Sequence, residues 1–274
     1  MTRGVPEGAI PAEALHPARR RAFQRRVLAW YRRFRRDLPW RRTTDPYHIL
    51  VSEVMLQQTP VARVIPKYRE WLSRYPSLEA LARASRREVR EAWVPLGYNI
   101  RPLRLRDIAR SVVRRYGGRL PRTRDELLAL RGIGPYTAGA ILSFAFGHDV
   151  PVLDTNIRRV LGRVFFPENA LPRDRDLWRL AELLLPRGRA ADFNQALMDI
   201  GATVCTARRP LCFSCPLAAG CESFPLDGAG RPSDGEGGQR PRAPGRRPGA
   251  AFSRSRPSPR VGRRRGDIQG GAPR

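Results

Sequence analysis

The sequence predicts an all-α protein, and three observations carry that prediction. Apolar residues recur at helical spacing in successive segments, no run of alternating β-branched residues interrupts them, and prolines and glycines fall at short intervals as joints or first turns. At 274 residues the chain has room for about two domains and a sizeable core. No internal repeat is visible.

Residues 1–17 contain Pro and Gly and are expected to be a flexible N-terminus. From Pro17 to Arg36 a basic helix is expected, with Phe23, Val27, Trp30 or Tyr31, and Phe34 as its core stripe. Pro39 ends it, because proline resists continuation. Asp45 as N-cap and Pro46 in the first turn open the next helix, which runs to Gln58. Glu53 is the anomaly there. It shares a face with Leu50, Val54 and Gln57, so its carboxyl should be desolvated and hold its proton unusually well, as a general acid must. A glutamate salt-bridged to one of many arginines is the competing reading, and the residues alone leave both open.

Further helical segments are expected at about 60–74, 77–83, 86–94, 101–116, 123–130 and 136–146. Pro60, Pro66, Pro76, Pro102 and Pro121, with Gly97 and Gly117-Gly118, mark joints or first turns. Tyr98 sits in one such joint, either facing solvent, where it could wedge into a base stack, or capping the core. The stretch from Leu130 to Ala140 joins two helices through Gly132 and Gly134. The N–H groups at the second helix's start suit a phosphate. An apolar entry, Val150 to Leu153, then delivers Asp154 to a helix start, as a simple N-cap or as a carboxylate facing developing positive charge. A polar loop (167–174), a helix near 175–185 and the segment Asp192–Ala202 lead to four cysteines.

Cys205, Cys212, Cys215 and Cys221 follow a Cys-x6-Cys-x2-Cys-x5-Cys pattern. Such crowding indicates a metal site more than disulfides, with zinc or an iron–sulfur cluster as candidates. The single Cys-x2-Cys, with Pro216 after the third ligand, favours [4Fe–4S]. Arg208 and Arg209 make that loop a candidate for facing phosphate. From about Asp227 the chain is Gly-, Pro-, Ser- and Arg-rich and is expected to be disordered.

The formal net charge is +27, from 52 Lys+Arg against 25 Asp+Glu, and Lys67 is the sole lysine. A field of this sign attracts polyanions, nucleic acid foremost and an anionic membrane surface second. No signal-peptide run and no membrane-spanning stretch is present, so a cytoplasmic, nucleoid-associated location is expected. The Trp40-Arg41 pair is a candidate for stacking on a base.

Taken together, residues 20–224 resemble the endonuclease III superfamily of helix-hairpin-helix DNA glycosylases, and within it the MutY-type adenine DNA glycosylases. The resemblance rests on Leu38-Pro39-Trp40-Arg41, Asp45-Pro46-Tyr47, Ser52 to Thr59, Leu96-Gly97-Tyr98, Gly132 to Gly139, Asp154-Thr155-Asn156, Phe193 to Met198, and the cysteine loop. It implies two helical modules flanking a DNA-binding cleft. A six-helix barrel would span 46–151 with the hairpin at 123–146, and a discontinuous iron–sulfur module would span 18–45 and 152–224, leaving 225–274 as tail.

The same resemblance implies roles. Glu53 would protonate adenine and then activate water, Asp154 would stabilise or transiently bond the sugar, Tyr136 would support the pair, and Asn156 would orient Asp154. Arg36, Trp40, Arg41 and Gln195 would line the pocket for a flipped base, while Gln58 and Tyr98 would wedge into the duplex. Gly132, Ile133 and Gly134 would meet phosphate, with a monovalent cation as a further candidate ligand. The four cysteines would hold a [4Fe–4S] cluster. The expected partner is double-stranded DNA containing a mispaired adenine, met by a monomer with no membrane association.

Tyr136 stands where the bifunctional branch carries a nucleophilic lysine, so a monofunctional enzyme with at most weak strand cleavage is expected. Two departures stand out. Asn99 replaces a frequent second tyrosine, and an Arg/Pro/Gly tail follows the cysteines where typical adenine glycosylases carry a domain that reads 8-oxoguanine. The alternatives are a mismatch thymine or uracil glycosylase of the same fold, and a catalytically idle DNA-binding protein.

Overall fold

The computed structural model describes residues 10, 16–167, 170 and 172–225. Most of the expected flexible N-terminus, part of the 167–174 loop and the tail beyond Pro225 lie outside the described residues. Among the described residues every regular element is helical. The α-helices are α1 (Pro17–Phe34), α2 (Pro46–Leu56), α3 (Val61–Arg74), α4 (Leu78–Arg83), α5 (Arg86–Trp93), α6 (Ile100–Tyr116), α7 (Arg124–Leu128), α8 (Pro135–Phe144), α9 (Thr155–Phe165), α10 (Asp174–Leu184) and α11 (Ala190–Thr203).

Local chemistry sets most boundaries. The Asp45 carboxylate accepts from the Tyr47 and His48 N–H groups, with Pro46 at the first position, as the sequence predicts. Ser85 and Glu88 form a capping box at the start of α5. Gly117 closes α6 in a left-handed conformation that a side chain would resist. Two expectations need correction. Pro66 lies inside α3 and marks no joint; four turns of amphipathic packing outweigh its one lost hydrogen bond. The stripe of α1 ends at Tyr31: Phe34 is 38% exposed and lies against the half-buried Trp30 ring at 5.5 Å instead of inside the core.

Two hydrophobic cores organise the chain. The first gathers residues from Leu38 to Leu142, with Trp71 and Trp93 packed edge to face at 5.3 Å. The second joins α1 to α9, α10 and α11, where Phe23 meets Phe165 at 5.0 Å. Helix α2 is buried on nearly every side, from Tyr47 through Met55. A carboxyl on such a helix reaches water only through a cavity, and Glu53 has one.

Candidate active site

A cavity of about 610 Å³ has walls drawn from both cores, including Ile49 from the first and Leu153 from the second. Glu53 opens into it and is only 5% exposed. Burial raises its carboxyl from 4.5 to about 7, opposed by the Tyr136 hydrogen bond, reinforced by the Asp154 charge and opposed again by Arg41. Tyr136, in the first turn of α8, donates its hydroxyl to Glu53 Oε2 at 2.5 Å. Burial in turn holds the Tyr136 phenol well above its ordinary range, so it remains a donor.

A stability prediction follows from the direction of the Glu53 shift. The folded protein keeps a proton that the unfolded chain releases between about pH 4.5 and 7. Folding stability therefore falls as pH rises through that window, by about 3 kcal/mol, and levels off above it. E53Q has no such proton to lose. It is expected to exceed the parent by about that amount at pH 8 and to converge with it only below about pH 4.5, as read by urea unfolding.

Asp154 reaches the same cavity from the N-cap of α9. Its Oδ1 accepts from the Ile157 N–H at 2.7 Å and its Oδ2 from the Asn156 side-chain amide at 2.9 Å. It is both an N-cap and a cavity-facing carboxylate, so the two sequence readings do not compete. Three further contacts, invisible in the sequence, hold it in place. Asn194 accepts from the Val152 N–H at 3.3 Å and donates to Ser143 and to the Val150 carbonyl, pinning the segment before Asp154. Arg159 donates to Asn156 Oδ1 at 2.8 Å, to the Gly201 carbonyl and to the Cys205 carbonyl at 2.8 Å. Gly201 lets α11 approach: a Cβ there would stand 2.6 Å from the Asn156 Cβ and 3.0 Å from its carbonyl oxygen. G201A is expected to cost about 1–3 kcal/mol in urea unfolding by forcing the two helices apart.

Arg36, Trp40, Arg41 and Gln195 all line the cavity. The two arginines are already engaged with a residue that the sequence reading missed. Fully buried Asp199 accepts from Arg41 at 2.7 and 2.9 Å, and from the Arg36 Nε at 2.5 Å and backbone N–H at 3.1 Å. A buried charge demands such partners. The signal was an aspartate four residues after Gln195 in an apolar helix. Tyr31 donates to the Gln195 amide oxygen at 2.5 Å, fixing which end of that amide faces the cavity. Trp40 is buried edge to face against Tyr68 at 5.5 Å, so it forms wall and does not stand free in a loop.

Gln58 lies at the cavity rim, while Tyr98 lies outside it and is 62% exposed. Both hold left-handed backbone, at φ 54 and φ 50. In the hairpin, Gly132 has φ 106, which favours glycine, and Gly134 is the N-cap of α8 without a side-chain cap. The Ile133 N–H is already bonded to the Leu130 carbonyl at 3.0 Å, which leaves the flanking glycines as the candidate phosphate donors. Lys67 sits on α3, paired with Glu70 and away from the cavity walls.

The four cysteines are free thiols, with Cys212 buried and the others half-buried. Donors already point at two sulfurs: the Leu217 N–H at Cys215 and the Arg163 guanidinium at Cys205. Thiolates welcome such donors. Among the described residues no three His, Cys, Asp or Glu side chains converge on a single ion. Four cysteine sulfurs, two of them facing donors, are the ligand chemistry that a cluster or a zinc ion takes. No helix among the described residues is long and apolar enough to cross a membrane.

All-helical packing around a glycine hairpin, beside a cavity into which a buried glutamate opens, defines a helix-hairpin-helix protein. The family described as HhH-GPD superfamily base excision DNA repair protein matches residues 51–186. Human adenine DNA glycosylase is 47% identical over 215 residues, covering 74% of this chain and 39% of that protein. The thymine-DNA glycosylase of Aeropyrum pernix is 40% identical over 210 residues, covering 74% of this chain and 94% of that one. The solved structure of a thermostable thymine-DNA glycosylase matches with a TM-score of 0.72 at 36% identity, covering 76% of this chain and 97% of that one. The chain belongs to the HhH-GPD superfamily of base excision DNA repair proteins. It spans well under half the length of its human relative.

Proposed function

We propose that this chain is a monofunctional DNA glycosylase that hydrolyses the N-glycosidic bond of adenine mispaired with 8-oxoguanine or guanine. One observation carries the reading: Glu53, holding its proton near neutrality, shares a cavity with a second carboxyl, Asp154. Adenine leaves poorly as an anion. Neutral Glu53 would donate its proton to N7, so that the C1′–N9 electron pair departs with a neutral base. The positive charge left on the sugar would face Asp154, and the Glu53 carboxylate would then take a proton from the attacking water. Tyr136 would hold the Glu53 carboxyl, and Asn156 would hold Asp154.

The target base must first leave the duplex, at a cost of a few kcal/mol. Gln58 and Tyr98 would act as the wedge. Arg36 and Arg41, held by Asp199, would shape the pocket together with Trp40 and Gln195. The hairpin glycines would meet phosphate. The four cysteines would hold a [4Fe–4S] cluster, which when bound supplies cross-links across the 205–221 loop. We assign 18–45 with 152–224 to one module and 46–151 to the other, with the correction that Leu38 and Trp40 pack into the core of the second, because the chain crosses over after α1; the whole is proposed to act as a cytoplasmic, nucleoid-associated monomer.

A second reading, a mismatch thymine or uracil glycosylase, draws on the relative and the solved structure that this chain covers almost end to end. Chromatography of free base released from A:8-oxoguanine, A:G and T:G duplexes separates the two, with Asp154→Asn as control. Adenine from the first two duplexes is expected. Thymine from the third alone would transfer the function to the second reading, and no base from any would leave a DNA-binding protein.

A further inference from the structure

Outside the cavity, the most heavily committed buried cation is Arg101, in the first turn of α6 and 3% exposed. Among the described residues it pairs with no carboxylate; carbonyl and hydroxyl oxygens accept from its terminal nitrogens. Nη1 donates to the Val54, Met55 and Gln57 carbonyls at 3.2, 2.9 and 2.5 Å. Nη2 donates to Thr59 Oγ1 at 3.0 Å and to the Leu96 and Gly97 carbonyls at 3.2 Å each. The guanidinium also lies 5.2 Å from the Trp93 ring centre and 5.3 Å from that of Tyr98.

These acceptors come from three places. Val54 and Met55, the two residues after Glu53, present orphan carbonyls in the last turn of α2. Gln57 and Thr59 flank Gln58, and Gly97 precedes Tyr98. Gln58 and Tyr98 are the two non-glycine residues with left-handed backbone among the described residues. Such conformations persist only where the surroundings over-determine them. A planar fork satisfies acceptors on both sides at fixed angles, which an ammonium group cannot do.

We propose that Arg101 is a positioning residue for base extrusion. It locks Gln58 and Tyr98 at one spacing, so that the two tips enter the duplex as a single rigid wedge. The inference rests on the adenine-glycosylase reading of the cavity.

The test uses the full chain and two duplexes, one with adenine opposite 8-oxoguanine and one with adenine opposite an abasic-site analogue, where extrusion is cheaper. R101K is expected to lose about 100-fold in single-turnover adenine release from the first duplex, against about threefold from the second. The fluorescence rise of a 2-aminopurine beside the target, which reports unstacking by the parent, is expected to vanish. T59V, which removes one acceptor, should show a weaker loss with the same duplex preference, and it carries the test if R101K does not fold. Equal losses on both duplexes with the fluorescence rise intact, or no loss at all, would overturn the inference. If the parent unstacks the duplex but releases no adenine, the functional reading fails, while the fluorescence of R101K still decides the role of Arg101.

Discussion

Replacing Glu53 by Gln is expected to reduce single-turnover base release by about 10²–10⁴-fold while leaving duplex binding within about twofold of the parent. The amide keeps the shape of the side chain and can still accept from the Tyr136 hydroxyl, so what disappears is the transferable proton. The parent's pH profile should carry the same signature. A neutral donor with a midpoint of about 7 gives a rate that is flat in acid and falls about tenfold per pH unit above that midpoint. E53Q should lose that falling limb along with the rate. Measuring release between about pH 5.5 and 9 in parent and variant checks both halves of the expectation. A variant that turned over normally would point instead to the DNA-binding reading.

The second large effect is expected at Asp154. Asp154→Asn retains an oxygen that can cap α9 at the Ile157 N–H, so the fold should survive. It removes the negative charge facing the sugar, and a loss of about 10²–10³-fold is expected. There is a second consequence in the pH profile. The Asp154 charge helps hold the proton on Glu53, so the residual activity of the variant should begin to fall at lower pH than that of the parent. A variant that was slow but unshifted would mean that the two carboxyls do not sense each other.

Much of the molecule was legible because its signals are local. Asp45-Pro46 announces the start of α2 within two residues, and the apolar run around Glu53 shows in one helical turn. Gly132 marks the hairpin because its φ of 106 suits little else. What escaped the sequence depends on partners far along the chain. Asp199 is an unremarked acid until Arg36 and Arg41, more than 150 positions away, close on it. Arg101 reads as one arginine among many until six oxygens from three segments surround it. Asn194 and Gly201 matter only because α11 packs against the approach to Asp154. The left-handed backbone at Gln58 and Tyr98 had no composition cue, since neither residue favours it. Phe34 shows the reverse failure: helical spacing placed it in the core, whereas it lies at the half-exposed edge against Trp30.

The most direct measurement is the titration of the Glu53 carboxyl in the free protein, followed by carbon-13 NMR of glutamate-labelled chain and assigned with E53Q. A midpoint of about 7 is predicted. A midpoint near that of an ordinary glutamate, about 4.3, would mean that Glu53 is anionic at neutral pH and cannot be the acid proposed here.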